Sequence, residues 1–167
     1  MKPAAFDYVG ATSADEALAA LARGGDDARV LAGGQSLMAM MNFRLVEPSI
    51  LVDITGIEAM DYVRTKGGKV EIGAATRQRT LENWSGLQAS LPLLAKAIPN
   101  IGHFQTRSRG TVCGSIAHAD PSSELPLCLA TLGGEVVLRS AKGERVLAAA
   151  DFQTGMLCTA KRSEEIV

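Results

Sequence analysis

The residues able to do chemistry gather in two glycine-containing segments. The first is Leu31-Ala32-Gly33-Gly34-Gln35-Ser36-Leu37. Paired glycines let a backbone approach an anion with no Cβ in the way, successive N–H groups can form a nest, and a helix beginning at Leu37 would add its positive end. The ligand this chemistry points to is phosphate; the plain alternative is a tight strand-to-helix turn that binds nothing. The segment has neither the GxGxxG of a dinucleotide turn nor the GxxxxGK[ST] of a P-loop. The second segment runs from Gly110 through Thr111, Val112, Cys113, Gly114, Ser115, Ile116, Ala117, His118, Ala119, Asp120, Pro121, Ser122 and Ser123 to Glu124. Thr111 and Ser115 can donate to phosphate or to a ribityl chain, and Asp120 and Glu124 can accept from sugar hydroxyls. Alternatively, Asp120 caps a helix and Glu124 is a solvated acid in its first turn, favoured by the helix dipole.

The other reactive side chains form no constellation. His103 and His118 have no third ligand near them in sequence, and Cys113, Cys128 and Cys158 are scattered, with no CxxC pair. No metal site is expected. Cys113 lacks an adjacent histidine to make it a nucleophile, and Cys128 falls on an apolar helix face. Arg107 and Arg109 flank the second segment, where they can balance diphosphate charge or face a partner. Met38, Met40 and Met41 read as helix packing.

The background is that of a single ordinary domain. The 167 residues carry a formal net charge of −1, with 47% hydrophobic and 21% charged residues, which excludes disorder and a basic nucleic-acid module. Aromatic residues are only 4%, so a bound cofactor would lean on backbone and small side chains rather than on stacked rings. The first residues, Met1-Lys2-Pro3-Ala4-Ala5-Phe6-Asp7, do not read as a leader, and no apolar run approaches membrane-spanning length. A cytoplasmic location with reduced thiols is expected.

The elements that position the two segments follow from pattern. Phe6–Val9 is β-prone, and Ser13 and Glu16 form a capping box that opens a helix ended by Gly24-Gly25. Arg29–Ala32 predicts a buried strand, Leu37–Phe43 a helix and Ile50–Ile54 a second buried strand, so the first third alternates as a parallel α/β unit does. A boundary is expected near Gly56, dividing residues 1–56 from 57–167. Beyond it, Tyr62–Thr65 and Lys69–Ile72 form a hairpin around Gly67-Gly68, and helices are expected over Arg79–Trp84 and Leu91–Ile98. Ile101–Asp120 has weak periodicity and predicts a long ordered loop or a set of short turns. Asp120 is placed as N-cap and Pro121 as N1 of a helix whose apolar run is Leu125–Leu132. A second hairpin joins Glu135–Arg139 to Glu144–Leu147, and Asp151–Val167 is a mixed tail.

The two segments carry a family resemblance. Ala32-Gly33-Gly34-Gln35-Ser36-Leu37 and Arg107-x-Arg109-Gly110-Thr111-x-x-Gly114-Ser115-Ile116-Ala117-His118-Ala119-Asp120-Pro121 resemble the two flavin motifs of the FAD-binding (medium) subunits of molybdenum hydroxylases, the group of carbon monoxide dehydrogenase and xanthine dehydrogenase. The flanks agree: Phe6-Asp7-Tyr8, Leu51-Val52-Asp53-Ile54, Ile72-Gly73-Ala74-x-Thr76-Arg77, Pro92-Leu93-Leu94 and Asp151-Phe152-x-x-Gly155. Two positions depart from the pattern: Cys113 stands where most members have glycine, and Ser108 where they mostly have asparagine.

The resemblance implies an α+β, two-subdomain FAD-binding fold of the vanillyl-alcohol oxidase type, a small N-terminal α/β unit beside a larger subdomain with an antiparallel sheet. It implies that Ala32, Gly33, Gly34, Gln35 and Ser36 hold the FAD diphosphate through their N–H groups. Thr111, Val112, Cys113, Gly114 and Ser115 would close on its phosphate and ribityl side, Asp120 and Glu124 would bind cofactor hydroxyls, and Ile101 would pack near the cofactor. By the same resemblance the chain is an oxidoreductase component, not catalytic alone. It would pass electrons from the 2Fe-2S clusters of a small subunit through FAD to an external acceptor, in a hetero-oligomer with a large molybdenum-cofactor subunit. Members continue past a segment like Glu164-Glu165-Ile166-Val167 into a C-terminal domain, which is absent from these residues. The rival readings are a truncated, flavin-free assembly or interaction module and a self-contained flavin oxidase; against the oxidase, the chain offers no substrate domain and few chemical residues.

Overall fold

A computed structural model of the chain describes residues 2–167, and its first third is built on helix capping and small-residue packing. Strand β1 (Asp7–Gly10) leads to helix α1 (Ala14–Gly24), strand β2 (Ala28–Leu31), helix α2 (Leu37–Asn42) and strand β3 (Ile50–Asp53). Ser13 Oγ accepts from Glu16 N–H at 3.2 Å, the expected N-cap. The reciprocal half of the box is displaced by one residue, with Glu16 Oε2 accepting from Thr12 N–H at 2.8 Å and from Thr12 Oγ1 at 3.0 Å. Alternation of alanine and leucine lets Ala17, Leu18, Ala20 and Leu21 pack the helix closely on the sheet. At its end a Cβ on Gly24 would come within 2.6 Å of Ala28 Cβ, so only glycine permits this approach.

The sheet is parallel, in the order β1-β3-β2. Tyr8 is in register with Leu51, and Val30 with Val52. β3 is therefore central, with Leu51 and Val52 buried. β2 lies at the edge with only Ala28 buried and Arg29 exposed, so the continuous burial expected of Arg29–Ala32 is not found. Edge position is the reason: one side of the strand has no neighbour to cover it.

Among the described residues, antiparallel pairing follows in three two-stranded ladders. β4 (Val63–Lys66) and β5 (Lys69–Ile72) turn at Gly67 and Gly68, both with positive φ, as a two-residue hairpin requires. Helices α3 (Gln78–Glu82), α4 (Leu87–Ser90) and α5 (Pro92–Ala97) come next. Ile101–Asp120 is not a long loop. It holds α6 (Phe104–Arg109) and α7 (Val112–His118), short helices whose periodicity is masked by glycine and polar residues; α7 is fixed by its cap and by burial of Val112 and Ile116.

Helix α8 (Glu124–Thr131) starts later than expected, with Ser123 at its N-cap. Asp120 instead closes a local turn, Oδ1 accepting from Ser122 N–H at 2.8 Å and Ser122 Oγ at 2.7 Å. β6 (Glu135–Ser140) and β7 (Gly143–Ala148) make the second hairpin, and the mixed tail resolves into α9 (Ala149–Phe152), β8 (Gln153–Gly155) and β9 (Cys158–Thr159).

Two apolar cores result. One gathers Ala11, Leu18, Leu21, Val52, Ile54 and Ile57 around the parallel sheet; the other centres on Leu81, Ile98, Leu138 and Phe152. Ile166, almost at the end of the sequence, is 3% exposed and belongs to the first core. Its backbone exchanges two hydrogen bonds with Arg139 of β6, both 2.9 Å. Beside it Arg145 grips the buried Glu165 carboxylate with Nε–Oε1 at 2.6 Å and Nη2–Oε2 at 2.8 Å. The late chain thus ties the second hairpin to the first core.

Candidate functional site at the meeting of two glycine segments

The carboxyl ends of parallel strands are where an α/β sheet offers a crevice for ligands. Here β2 runs into Gly33-Gly34, and β3 ends on Asp53 beside it. Gly34 has φ +69°, a conformation that glycine takes without strain. The segment Arg109-Gly110-Thr111 lies directly against this turn. A Cβ built on Gly33 would fall 2.6 Å from Gly110 Cα, 2.7 Å from Arg109 O and 2.8 Å from Thr111 N, and one on Gly114 would reach within 4.0 Å of Ala32 Cβ. The two segments, far apart in sequence, meet backbone to backbone.

A cleft of about 350 Å³ opens at this meeting, lined by residues 31–35 and by Met38, Asp53, Thr55, Arg77 and Arg109. Among the described residues, the backbone N–H groups of Gly33, Gly34, Gln35 and Ser36 donate to no protein acceptor, nor does that of Thr111 on the facing segment. Helix α2 is only six residues long, so the loop N–H groups carry the positive potential more than a helix dipole does. Gln35 is exposed, its Nε2 donating to Gly33 O at 3.3 Å, and Ser36 precedes α2 without a side-chain cap.

The second segment is held from behind. Val112 N–H donates to Thr76 O at 3.0 Å and Gln78 N–H to Gly110 O at 2.8 Å. Thr111 Oγ1 accepts from Gly114 N–H at 3.1 Å and caps α7. Val112 points into the second core, so only its backbone is available. The Cys113 side chain also turns inward, with Sγ facing the carbonyls of Ile72 and Gly73 at 3.7 and 3.6 Å, and burial pushes its thiol up to about 12. The Cys113 side chain, at the position where the resemblance leads one to expect glycine, therefore leaves the approach to Ala32 and Gly33 free. Ser115 Oγ pairs with Ser123 Oγ at 2.8 Å.

Other expected residues lie elsewhere. Asp120 lines a separate hollow of about 250 Å³ with Ser123, Leu127, Gln153 and Met156. The Ser122 hydroxyl, and then its N–H, hold the Asp120 carboxyl below the usual range. Glu124 is half-buried at the start of α8. Ile101 sits in the second core, its carbonyl accepting from Arg107 Nη1 at 2.9 Å, and is not among the residues lining the glycine cleft. Arg107 pairs with Glu82 at 3.0 Å, which makes it structural, whereas Arg109 lines the cleft. Among the described residues no cluster of three or more metal-ligating side chains is found.

Pattern reading passed over Asp53, Thr55 and Arg77 as site residues. Burial pushes the Asp53 carboxyl up, but the Thr55 hydroxyl and N–H, the Tyr8 hydroxyl and the Arg77 charge outweigh it and hold the group below its usual range. The Thr55 bonds are 2.7 and 2.8 Å and the Tyr8 bond is 2.7 Å. The available signal was Asp53's place at the end of a strand that follows the glycine turn.

Residues 4–167 match the family described as the FAD binding domain in molybdopterin dehydrogenase. The chain belongs to this family. Within it, the chain is 39% identical over 168 residues to caffeine dehydrogenase subunit beta of Pseudomonas sp. (strain CBB1), covering 100% of this chain and 57% of the relative. It is 38% identical over 167 residues to the carbon monoxide dehydrogenase medium chain of Hydrogenophaga pseudoflava, covering 100% of this chain and 58% of the relative. A solved carbon monoxide dehydrogenase from Hydrogenophaga pseudoflava, lacking the Mo-pyranopterin moiety of its cofactor, superposes with a TM-score of 0.96 over 100% of this chain and 58% of that one, at 38% identity. Quinoline 2-oxidoreductase from Pseudomonas putida 86 gives a TM-score of 0.95 at 36% identity, over 99% of this chain and 58% of that one. The chain thus spans somewhat over half the length of these relatives. The architecture of this FAD-binding domain is α+β, and its glycine cleft fits the family's cofactor. N–H donors without protein partners lie on both segments where their backbones meet too closely for a Cβ on Gly33, with Arg77 and Arg109 lining the cleft beside them.

Proposed function

We propose that this domain holds FAD, with its diphosphate in the cleft between residues 32–36 and 109–115, as the electron-exit component of a molybdenum hydroxylase. The observation that supports it most is the pairing of unpartnered N–H groups on two glycine segments in backbone contact. Backbone dipoles and two arginines suit a diphosphate at little net charge.

Each residue then has a task. Ala32, Gly33, Gly34, Gln35 and Ser36 offer main-chain donors, and Thr111, Val112, Cys113, Gly114 and Ser115 supply the facing backbone of α7 and its cap. Asp120, Glu124 and Ile101 lie outside the cleft lining and serve a longer reach of the cofactor, the two acids accepting from hydroxyls. The division near Gly56 separates a unit carrying the first glycine segment from one carrying the second.

Bound FAD supplies the redox chemistry; the chain's own work is binding, orienting and setting the polarity around it. Three separated cysteines, one buried and one with an inward thiol, cannot ligate an iron–sulfur cluster, so clusters and molybdenum belong to a small 2Fe-2S subunit and a large molybdenum subunit. Electrons arriving from these clusters leave through FAD to an external acceptor. No helix among the described residues is long and apolar enough to cross a membrane.

Titration of the full-length protein with FAD, followed by flavin fluorescence and visible absorption, tests this reading. Stoichiometric binding at micromolar or lower concentration is expected. Absence of bound flavin, also after co-expression with adjacent subunits, would leave the flavin-free assembly module as the function.

A further inference from the structure

Arg77 lies outside the two glycine segments, at the end of the flank Ile72-Gly73-Ala74-x-Thr76-Arg77. Its backbone is extended, φ −68° and ψ 146°, at the head of α3, and it bridges to Thr111. The residues on either side grip the second glycine segment, Thr76 O accepting from Val112 N–H at 3.0 Å and Gln78 N–H donating to Gly110 O at 2.8 Å. Thr76 is itself immobilised, 0% exposed, with Oγ1 accepting from Tyr62 N–H at 3.0 Å and donating to Tyr62 O at 2.9 Å. The Arg77 side chain starts from a rigid base.

From that base Nη1 donates to the carbonyl of Arg109. This oxygen lies at the close approach of the two segments, 2.7 Å from where a Cβ on Gly33 would stand. Left alone it would present lone pairs beside the unpartnered N–H groups of residues 33–36 and Thr111. A carbonyl facing a diphosphate repels it, and an arginine N–H bonded to that carbonyl removes the repulsion while leaving positive charge in its place. Across the cleft Asp53, fixed by Tyr8 and Thr55, gives the guanidinium an opposing charge to orient on.

We propose that Arg77 is the positioning residue that joins the two glycine segments into one anion site, by satisfying the Arg109 carbonyl and holding residues 109–111 against Gly33. This rests on the reading that the cleft takes the diphosphate of FAD. Arg77 acts through the Arg109–Thr111 backbone, so its loss disturbs the geometry of both segments and not merely the charge of the cleft.

The test compares the wild-type full-length protein with Arg77→Ala and Arg77→Lys. Three quantities are measured: FAD dissociation constant, visible circular dichroism of the bound flavin, and unfolding temperature without flavin. Arg77→Ala is expected to weaken FAD binding by about tenfold or more and to change the dichroism, as lost charge-assisted bonds do. Arg77→Lys, which keeps a charged donor, should recover most of the affinity and the wild-type dichroism, with all three flavin-free proteins unfolding at similar temperatures. Wild-type affinity in Arg77→Ala would overturn the inference. So would Arg77→Lys binding no better than Arg77→Ala, or a fall in flavin-free unfolding temperature that accounts for the lost affinity. A wild-type protein that binds no FAD would instead overturn the functional reading.

Discussion

Gly33 and Gly110 are in backbone contact: a Cβ on the first would stand 2.6 Å from the Cα of the second. The three atoms nearest to that Cβ, Gly110 Cα, Arg109 O and Thr111 N, are all backbone, so no flexible side-chain end can yield to relieve the clash. Gly33→Ala must separate them, at a cost of about 2 kcal/mol in bound-state geometry, or about thirtyfold in FAD affinity. A fluorescence titration reads this directly, and undiminished affinity would show that the contact does not shape the site.

Thr111 and Gly114 form a second dependent pair. Thr111 Oγ1 caps α7 through Gly114 N–H at 3.1 Å, and a Cβ on Gly114 would lie 2.5 Å from that same oxygen. Thr111→Ala should cost about 1 kcal/mol of stability and Thr111→Ser much less. Gly114→Ala should break the cap by displacing that oxygen and weaken FAD binding through the loosened start of α7, its Cβ making only an ordinary 4.0 Å contact with Ala32 Cβ. Thermal melts with and without FAD separate the two effects.

Acid should loosen the tie between the late chain and the first core. Arg145 first, and the Arg162 N–H after it, hold the Glu165 carboxyl below its usual range against the opposing effect of burial. The folded value is thus below the unfolded one, so this stabilisation is complete above the ordinary glutamate value of about 4.3 and drains as pH falls through the lowered folded value. Glu165→Gln should unfold at a lower temperature than wild type at pH 7, with the gap closing toward pH 3. A gap constant across that range would remove the ion pair as its source.

Thiol reactivity should single out Cys158. It is exposed, Cys128 is buried, and the Cys113 thiol is turned inward and pushed up to about 12. A disulfide reagent added to the folded protein at pH 8 should label Cys158 quickly, and Cys113 and Cys128 only on unfolding. Rapid labelling of Cys113 would contradict its inward orientation.

Local chemistry made the glycine turns, the hairpin at Gly67-Gly68 and the Ser13 cap legible, because each depends on residues within a few positions of one another. Helices α6 and α7 were not legible, since Gly110 and Gly114 interrupt their apolar pattern and their stability comes from Thr76, Gln78 and the second core. The Asp120 and Ser123 positions show a similar limit. Both residues suit a helix cap, and only the local turn with Ser122 decides which one takes it. In the site, the glycines declared themselves by type, whereas Asp53 and Arg77 became visible only when folding set them beside the cleft.

The burial of Ile166 in the first core bears on synthesis. A ribosome delivers the parallel sheet and α1 early, yet the residue that completes their packing comes long after β3 has formed. Until β6 and the residues beyond it arrive, the N-terminal unit lacks the Ile166 side chain in its core. Truncated or stalled products should therefore expose the underside of that sheet to chaperones and proteases, so the cell can recognise incomplete copies before any cofactor is committed to them.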